Sequence, residues 1–369
     1  MQANSTSTDA DAVMLLEGAI PCRVVPGGYS RVSVILAMVP LLEQLGVNLD
    51  DVLRESGLPA DQFNDPENLI PFREAGRLFG ICADRADCEH FGVLLGKYAT
   101  LESFGIIADL VKSAPDVRSG LRLLGRYLTL SDGGGLATFS EDGQIAEWSY
   151  ALYEPGVERP ELVYDLCLGG LMNIMQSLCG VHWHPQEVLF SRSRPRDLKP
   201  YREFFDAPMR FDAEHTALVF KREWLDAPLT TSNPAGLLAL EAQVRKMEAE
   251  STGDLPAQIR RIVRRQLLSG STTITKVAEE LAMHPRTMER RLMALQTAFR
   301  SLADEVRYEV SQQLLTTQMP IVAIAQSLQY ANPAAFTRAF RRWSGAAPLR
   351  WRTRASAFGN FRKSGPINS

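Results

Sequence analysis

Apolar positions recur at helical spacing through the first third of the chain, give way to alternation, and then return to helical spacing with basic residues between them. The first stretch predicts helices at 31–46, 50–56, 71–86, 101–113 and 116–129, with Asp50 as the N-cap of the second. In the last of these, Val117, Leu121, Leu124 and Leu128 share one face. SDGGGLATF breaks this pattern. LATFS and IAEWSYALY then alternate on either side of EDGQ, which predicts a β-hairpin. A long apolar helix over 159–180 and short strands near 186–191, 209–212 and 216–220 complete an α+β body.

The character changes after about residue 230. PAGLLALEAQVRKMEA reads as a helix in which Leu237, Leu240, Val244 and Met247 form one stripe. That stripe suits a short two-stranded coiled coil or packing on its own domain, and both remain open. ESTGD at 250–254 reads as a hinge. Beyond it the chain repeats itself. TKVAEELAMHPRTMERRL at 275–292 and VAIAQSLQYANPAAFTRAF at 322–340 share one pattern. Val277, Ala278 and Leu281 match Ile324, Ala325 and Leu328, while Met288, Arg290 and Leu292 match Phe336, Arg338 and Phe340 after one extra residue in the turn.

Each copy is a short helix, a tight turn and a second helix with arginine on its outer face, which is the helix-turn-helix layout. The small Ala278 and Ala325 permit a close, steep crossing, with Met283 and Tyr330 filling the turn. Pro285 and Pro333 fall where a first helical turn has no use for an N–H. Turning Met288, Leu292, Phe336 and Phe340 inward leaves Arg286, Glu289 and Arg290 exposed on one second helix, and Ala334, Thr337, Arg338, Arg341 and Arg342 on the other. Arginine bonds guanine bidentately, glutamate accepts from cytosine, and Thr or Ala meets a thymine methyl. A membrane helix would keep its apolar stripe exposed, and a groove-docking helix would not come in duplicate behind a preceding helix. DNA fits both copies, with recognition helices in major-groove segments about 34 Å apart. SLADEVRYEVSQQLL at 301–315 reads as the helix that sets this separation.

Charge sharpens the division. From residue 255 onward there are 18 Lys and Arg against 6 Asp and Glu, whereas the preceding part has 22 against 37. A basic end joined to an acidic body implies a polyanion-binding module carried by a domain with another task. The first twenty residues contain Asp9, Asp11 and Glu17 and no basic residue, so no secretory signal is read there. VSVILAMVPLL at 32–42 is too short to cross a bilayer. The five cysteines form no CxxC pair, which suits a reducing cytoplasm and free thiols.

Residues 270–354 resemble the DNA-binding domain of the AraC/XylS family of bacterial transcription regulators. The match is carried by Ile324, Ala325, Leu328, Phe336, Arg338, Ala339, Phe340, Arg341, Arg342, Gly345 and Pro348 within PIVAIAQSLQYANPAAFTRAFRRWSGAAPLRWR. Where the family places glycine in the turn of each unit, this chain has Ala282 and Gln329. A positive φ at either position would cost about 1 kcal/mol. Upstream, LLEQLGVNLDDVLRESGLPADQF, LIPFREAGRLFG, SFGIIADLVKSAPDVRSGLRLLGRYLTLSDG and YREFFDAPMRFDAEHTALVFKREWLDAPL are similar to an α+β effector-sensing domain of one branch of the family, labelled arabinose-binding.

The expected organisation is a mobile lead at 1–28, an α+β sensor and dimerisation domain at 29–230, a linker helix and hinge at 231–254, an all-α double helix-turn-helix domain at 255–354, and a tail at 355–369. The resemblance implies a cytoplasmic, dimeric regulator whose partners are double-stranded operator DNA, a small-molecule effector, a second copy of the chain and RNA polymerase, with activation and repression both open. A dimeric regulator without an effector, and an enzyme domain tethered to DNA, are the alternatives. His182-Trp183-His184 and Cys88-Glu89-His90 lack the spacing of a metal site, Gly133–Gly135 reads as a turn, and no GxSxG is present. No catalytic residue, metal ligand or cofactor is expected. Tyr164, Asn173, Gln176, Arg126 and Tyr127 are polar positions near a possible effector, but none is assigned to it, and backbone partners are the simpler reading for them.

Overall fold

The computed structural model describes residues 25–353 apart from positions 153, 155, 251–254, 270–271, 282 and 317–318. Among the described residues two large hydrophobic cores form, one gathering residues from Val32 to Val244 and the other from Ile259 to Phe340, beside a small cluster of Leu189, Ala213 and Ala217. In the first, β1 (Tyr29–Arg31) leads through the 3-10 turn Val32–Ile35 into α1 (Met38–Gln44) and α2 (Leu49–Ser56). The single helix expected over 31–46 is therefore two pieces. Asn48, not Asp50, caps α2: its Oδ1 accepts from the Asp51 N–H at 3.0 Å, and Asp50 sits in the first turn. β2 (Leu69–Pro71) pairs antiparallel with β1 and runs straight into α3 (Phe72–Arg85).

The short helices α4 (Phe91–Gly96), α5 (Ile106–Lys112) and α6 (Val117–Tyr127) follow, and α6 buries Val117, Leu121 and Leu124 as its periodicity requires. The hairpin forms as β3 (Gly135–Asp142) and β4 (Ile145–Leu152), with Phe139 opposite Trp148 and the turn passing through Gly143 at φ 58°. In β4 the alternate residues Ala146, Trp148, Tyr150 and Leu152 are buried.

The apolar helix is α7 (Pro160–Cys179), followed by β5 (Glu187–Leu189), α8 (Lys199–Phe205), β6 (Met209–Arg210) and β7 (Thr216–Lys221). The five-stranded sheet has the order β3-β4-β7-β5-β6, antiparallel except for β5 with β6. By length and composition α7 is long and apolar enough to cross a membrane, yet most of it is buried inside this domain. Its close seat on α4 depends on two glycines, since a Cβ on Gly169 would stand 2.6 Å from the Gly96 Cα. Asn173 then donates to the carbonyls of Gly96, Lys97 and Ala99 at 2.8–3.0 Å, satisfying the end of α4.

The linker helix α9 (Pro234–Glu250) buries Val244 and half-buries Leu237 and Leu240 against the first core. Three of the four stripe residues thus pack on their own domain. The lead is expected to run to residue 28, but Val25 is buried and the Gly28 N–H bonds the Gly133 carbonyl at 2.8 Å, so residues 25–28 pack with the first domain. Residues 1–24, most of the predicted hinge and the tail at 355–369 lie outside the described residues.

The second core is all helical: α10 (Leu255–Ser269), α11 (Ile274–Glu280), α12 (Pro285–Ala294), α13 (Phe299–Thr316), α14 (Ile321–Ser327) and α15 (Pro333–Ser344). The pairs α11–α12 and α14–α15 are the two repeated units. The longer α13 joins them, as its periodicity predicts. α10 was not among the predicted helices; it packs Ile259, Ile262, Val263 and Leu267 into this core.

Candidate nucleic-acid interface and internal cavity

Both second helices begin with proline at the first turn and a side-chain cap before it. His284 Nδ1 accepts from the Arg286 N–H at 3.3 Å, and Asn332 Oδ1 accepts from the Ala335 N–H at 2.9 Å. Met288 and Leu292 in α12, and Phe336, Ala339 and Phe340 in α15, are buried. Phe340 meets the rings of Tyr308, Phe336 and Trp351 at centroid distances of 5.7–5.9 Å. The inward faces being fixed, the opposite faces point to solvent. Arg286, Glu289, Arg290, Ala334, Arg338, Arg341 and Arg342 are exposed and Thr337 is half-buried.

These side chains differ in how free they are. Among the described residues Arg286, Arg290, Arg338 and Arg341 make no ion pair. Arg342 does: its Nη2 is 2.8 Å from Asp304 Oδ2, and Asp304 is also 3.6 Å from Arg307. Arg300, Arg307, Arg338 and Arg342 together ring a surface depression of about 340 Å³ with Asp304 at its edge. Arg300 and Arg307 sit on α13, which the sequence presents as a connector, and only the packing of α13 beside α15 brings them to this face.

The turn of the second unit departs from glycine at Gln329, and its φ is 62°. Its amide offsets the strain. Nε2 donates to the Gln266 and Leu267 carbonyls, both at 2.7 Å, and Oε1 accepts from the Thr272 N–H at 2.7 Å. One side chain therefore ties the second turn to the end of α10 and to the entry of α11, fixing the two units to each other. The corresponding Ala282 lies outside the described residues.

The first domain encloses a cavity of about 70 Å³ between α3, α6, α7 and the hairpin. Its wall is hydrocarbon, including Phe72, Phe79, Leu124, Leu128 and Leu171, except at one end where Ser30, Asp132, Tyr150 and Cys167 meet. Asp132 Oδ1 accepts from the Gly134 and Gly135 N–H groups at 2.9 and 3.2 Å, and Oδ2 accepts from the Tyr150 hydroxyl at 2.7 Å. Burial pushes the Asp132 carboxyl above its ordinary range despite these donors. The glycine run is a site of close approach as well as a turn: a Cβ on Gly134 would strike the Phe72 ring, and one on Gly135 the Tyr150 hydroxyl.

This polar end connects to the helical domain. The Gly134 carbonyl accepts from the Glu154 N–H at 3.1 Å, and Glu154 Oε1 accepts from Arg73 Nε at 3.2 Å. Glu154 also feels the charges of Arg264 on α10 and Glu309 on α13, which pair with each other. A Cβ on Gly27, in the strap that pairs with the glycine run, would stand 3.2 Å from Arg264 Nη1. Ala151 of β4 packs against the helical core at the same contact.

Residues 46–229 match the family model of the arabinose-binding domain of AraC transcription regulators, N-terminal, and residues 277–354 match a helix-turn-helix domain. The chain belongs to the AraC/XylS family. Among curated relatives of this AraC-type regulator, the HTH-type transcriptional regulator VirS of Mycobacterium tuberculosis is 23% identical over 329 residues, covering 88% of this chain and 97% of that one. The ornithine utilization regulator of Pseudomonas aeruginosa is 25% identical over 339 residues, covering 89% and 96%. A solved structure of the transcriptional regulator CdpR from Pseudomonas aeruginosa aligns with 85% of this chain and 98% of its own at 20% identity and a TM-score of 0.41.

The polar residues weighed near the regulator's first core mostly turn to the backbone. Asn173 serves α4, Gln176 Nε2 donates to the Trp183 carbonyl at 3.2 Å, and Tyr164 accepts from the Leu152 N–H at 3.4 Å. Arg126 lies over the Tyr127 ring and 3.9 Å from Glu241. The residues that do line the cavity's polar end come from four separate segments, so no local motif announces them. Of the histidine-tryptophan-histidine run, only Trp183 is buried, and among the described residues no cluster of three or more His, Cys, Asp or Glu is placed to hold a metal ion.

Proposed function

We propose that this regulator reads operator DNA with α12 and α15 and that a small effector in the cavity of its first domain controls that reading. Arg290 and Arg338 are assigned to base edges, together with Arg286, Glu289, Ala334, Thr337 and Arg341 on the same faces. Arg342, one turn beyond Arg338 and shared with Asp304, is assigned to the DNA backbone, with Arg300 and Arg307 beside it. A cytoplasmic homodimer that contacts RNA polymerase belongs to the same proposal.

The observation that carries effector control is the bond from Glu154 N–H to the Gly134 carbonyl. It joins the loop holding the cavity's buried carboxyl to the residue facing the helical domain. A ligand that moves this loop changes what Glu154 presents to Arg264, which is the differential interaction a switch requires. Burial raises the Cys167 thiol well above its ordinary range, so this thiol is not a nucleophile in the cavity.

The test uses the full chain. A panel of metabolites is screened for compounds that raise its melting temperature, and each hit is assayed for its effect on operator affinity. Hits should change operator affinity in the wild type, lose that effect in Glu154→Ala, and fail to bind Ala75→Leu, which fills the cavity. Hits that bind Ala75→Leu normally, or leave operator affinity unchanged, would contradict effector control through this cavity.

A further inference from the structure

The cavity's lining also specifies what kind of molecule it accepts, an inference that rests on reading it as the effector site. Asp132 is buried, and among the described residues no Lys, Arg or His pairs with it. A carboxylate has about four acceptor positions. Two on Oδ1 are filled by the Gly134 and Gly135 amides, and Oδ2 holds only the Tyr150 hydroxyl. Cys167 shares this end of the wall. One acceptor position of a buried carboxyl therefore remains open toward the cavity, and nothing in the rest of the wall can bond a polar atom except Ser30.

We propose that the effector is a hydrophobic molecule with a single hydrogen-bond-donating head, an amine or an alcohol, seated on the open oxygen of Asp132. A carboxylic acid of the same shape brings acceptors, and at neutral pH a like charge, to an oxygen that needs a donor. A sugar has several hydroxyls, most of which would face the hydrocarbon of Phe72, Phe79, Leu124 and Leu171 without partners. The arabinose-binding label of the matched domain does not describe this lining. The cavity as it stands has room for roughly two water volumes. A longer alkyl chain therefore needs the wall to give, and part of that wall is Ser30 of the strap and Asp132 of the glycine loop. These are the segments tied to Glu154 and Arg264, so entry of the body and bonding of the head displace the same contact.

The experiment measures the affinity of full-length protein for n-butyl, n-hexyl and n-octyl amines, the matching alcohols, and the matching carboxylates, by calorimetry and thermal shift. At equal chain length the amine and the alcohol should bind at least about tenfold more tightly than the carboxylate. Arabinose should not bind. Asp132→Asn keeps the volume and an acceptor for the two glycine amides, and it should reduce the tenfold preference to near parity while the protein still melts cooperatively. Ala75→Leu should bind none of the probes while remaining folded. Equal or tighter carboxylate binding that survives in Asp132→Asn would overturn the head-group assignment and leave the cavity as an effector site. Binding of arabinose abolished by Ala75→Leu would overturn the hydrophobic class in the same way. Failure of every probe to bind overturns this proposal, whereas effector control itself is judged by the metabolite screen.

Discussion

Gln329 shows how one side chain can reverse the meaning of a sequence departure. A turn with φ 62° favours glycine, and glutamine there carries a cost of about 1 kcal/mol. Three hydrogen bonds, each with a net value of about 0.5–1.5 kcal/mol, outweigh it. Gln329→Gly should therefore lower stability by about 1–3 kcal/mol although it removes the strain, and Gln329→Ala by about 1 kcal/mol more, as read from melts of the full chain. If Gln329→Gly were stabilising, the clasp between the units would be without energetic weight. The departure from glycine was visible in the sequence, but its compensation was not, because Gln266 and Thr272 are 63 and 57 residues away. Arg342 shows the opposite case. Its position on the outer face was legible, while its partner Asp304 was not. Because Asp304 already shares its charge, Arg342→Ala should make the salt dependence of DNA binding shallower by less than the roughly one unit expected of a free phosphate contact. A full unit lost in binding assays at several salt concentrations would mean the pair opens on DNA.

At the scale of elements, the repeat was readable because its information is local. Ala278 and Ala325 sit at the crossings with 0% and 1% exposure, and Phe336 and Phe340 fill the core at 0%, as an i, i+4 pair must. Phe340→Ala should destabilise the helical domain by about 3–5 kcal/mol and remove DNA binding through unfolding, seen as loss of the cooperative helical transition. Retained binding would show that α15 presents its arginines without this core. α10 is not among the predicted helices although Ile259, Ile262, Val263 and Leu267 recur at helical spacing, because Arg260, Arg261 and Arg264 give the segment a charged look. The Asn48 cap of α2 is local, whereas the break of 31–46 into a 3-10 turn and α1 follows directly on β1, which is held by β2. Three-residue strands have too little pattern to foretell that.

At the scale of the molecule, the sequence separates an acidic body from a basic end, but the cavity and the contact between the two are assembled from distant segments. Ser30, Asp132, Tyr150 and Cys167 meet only after β1, the glycine loop, β4 and α7 have packed. With 18 basic against 6 acidic residues, residues 255–369 should fold alone and bind DNA with an affinity that falls steeply with salt. A flat salt response in filter-binding or anisotropy titrations would deny the basic face its part. In the proposed reading two units, not one, read sequence, each through one arginine at the same place in its second helix. It is tested most directly by selecting the full-length protein, Arg290→Ala and Arg338→Ala on a randomised operator library and comparing their base preferences. The wild type should select two blocks of bases about one helical turn apart, with each substitution erasing the preference in one block and leaving the other, at a cost of about 1–3 kcal/mol. A single block, or two blocks that persist unchanged in Arg338→Ala, would contradict the account.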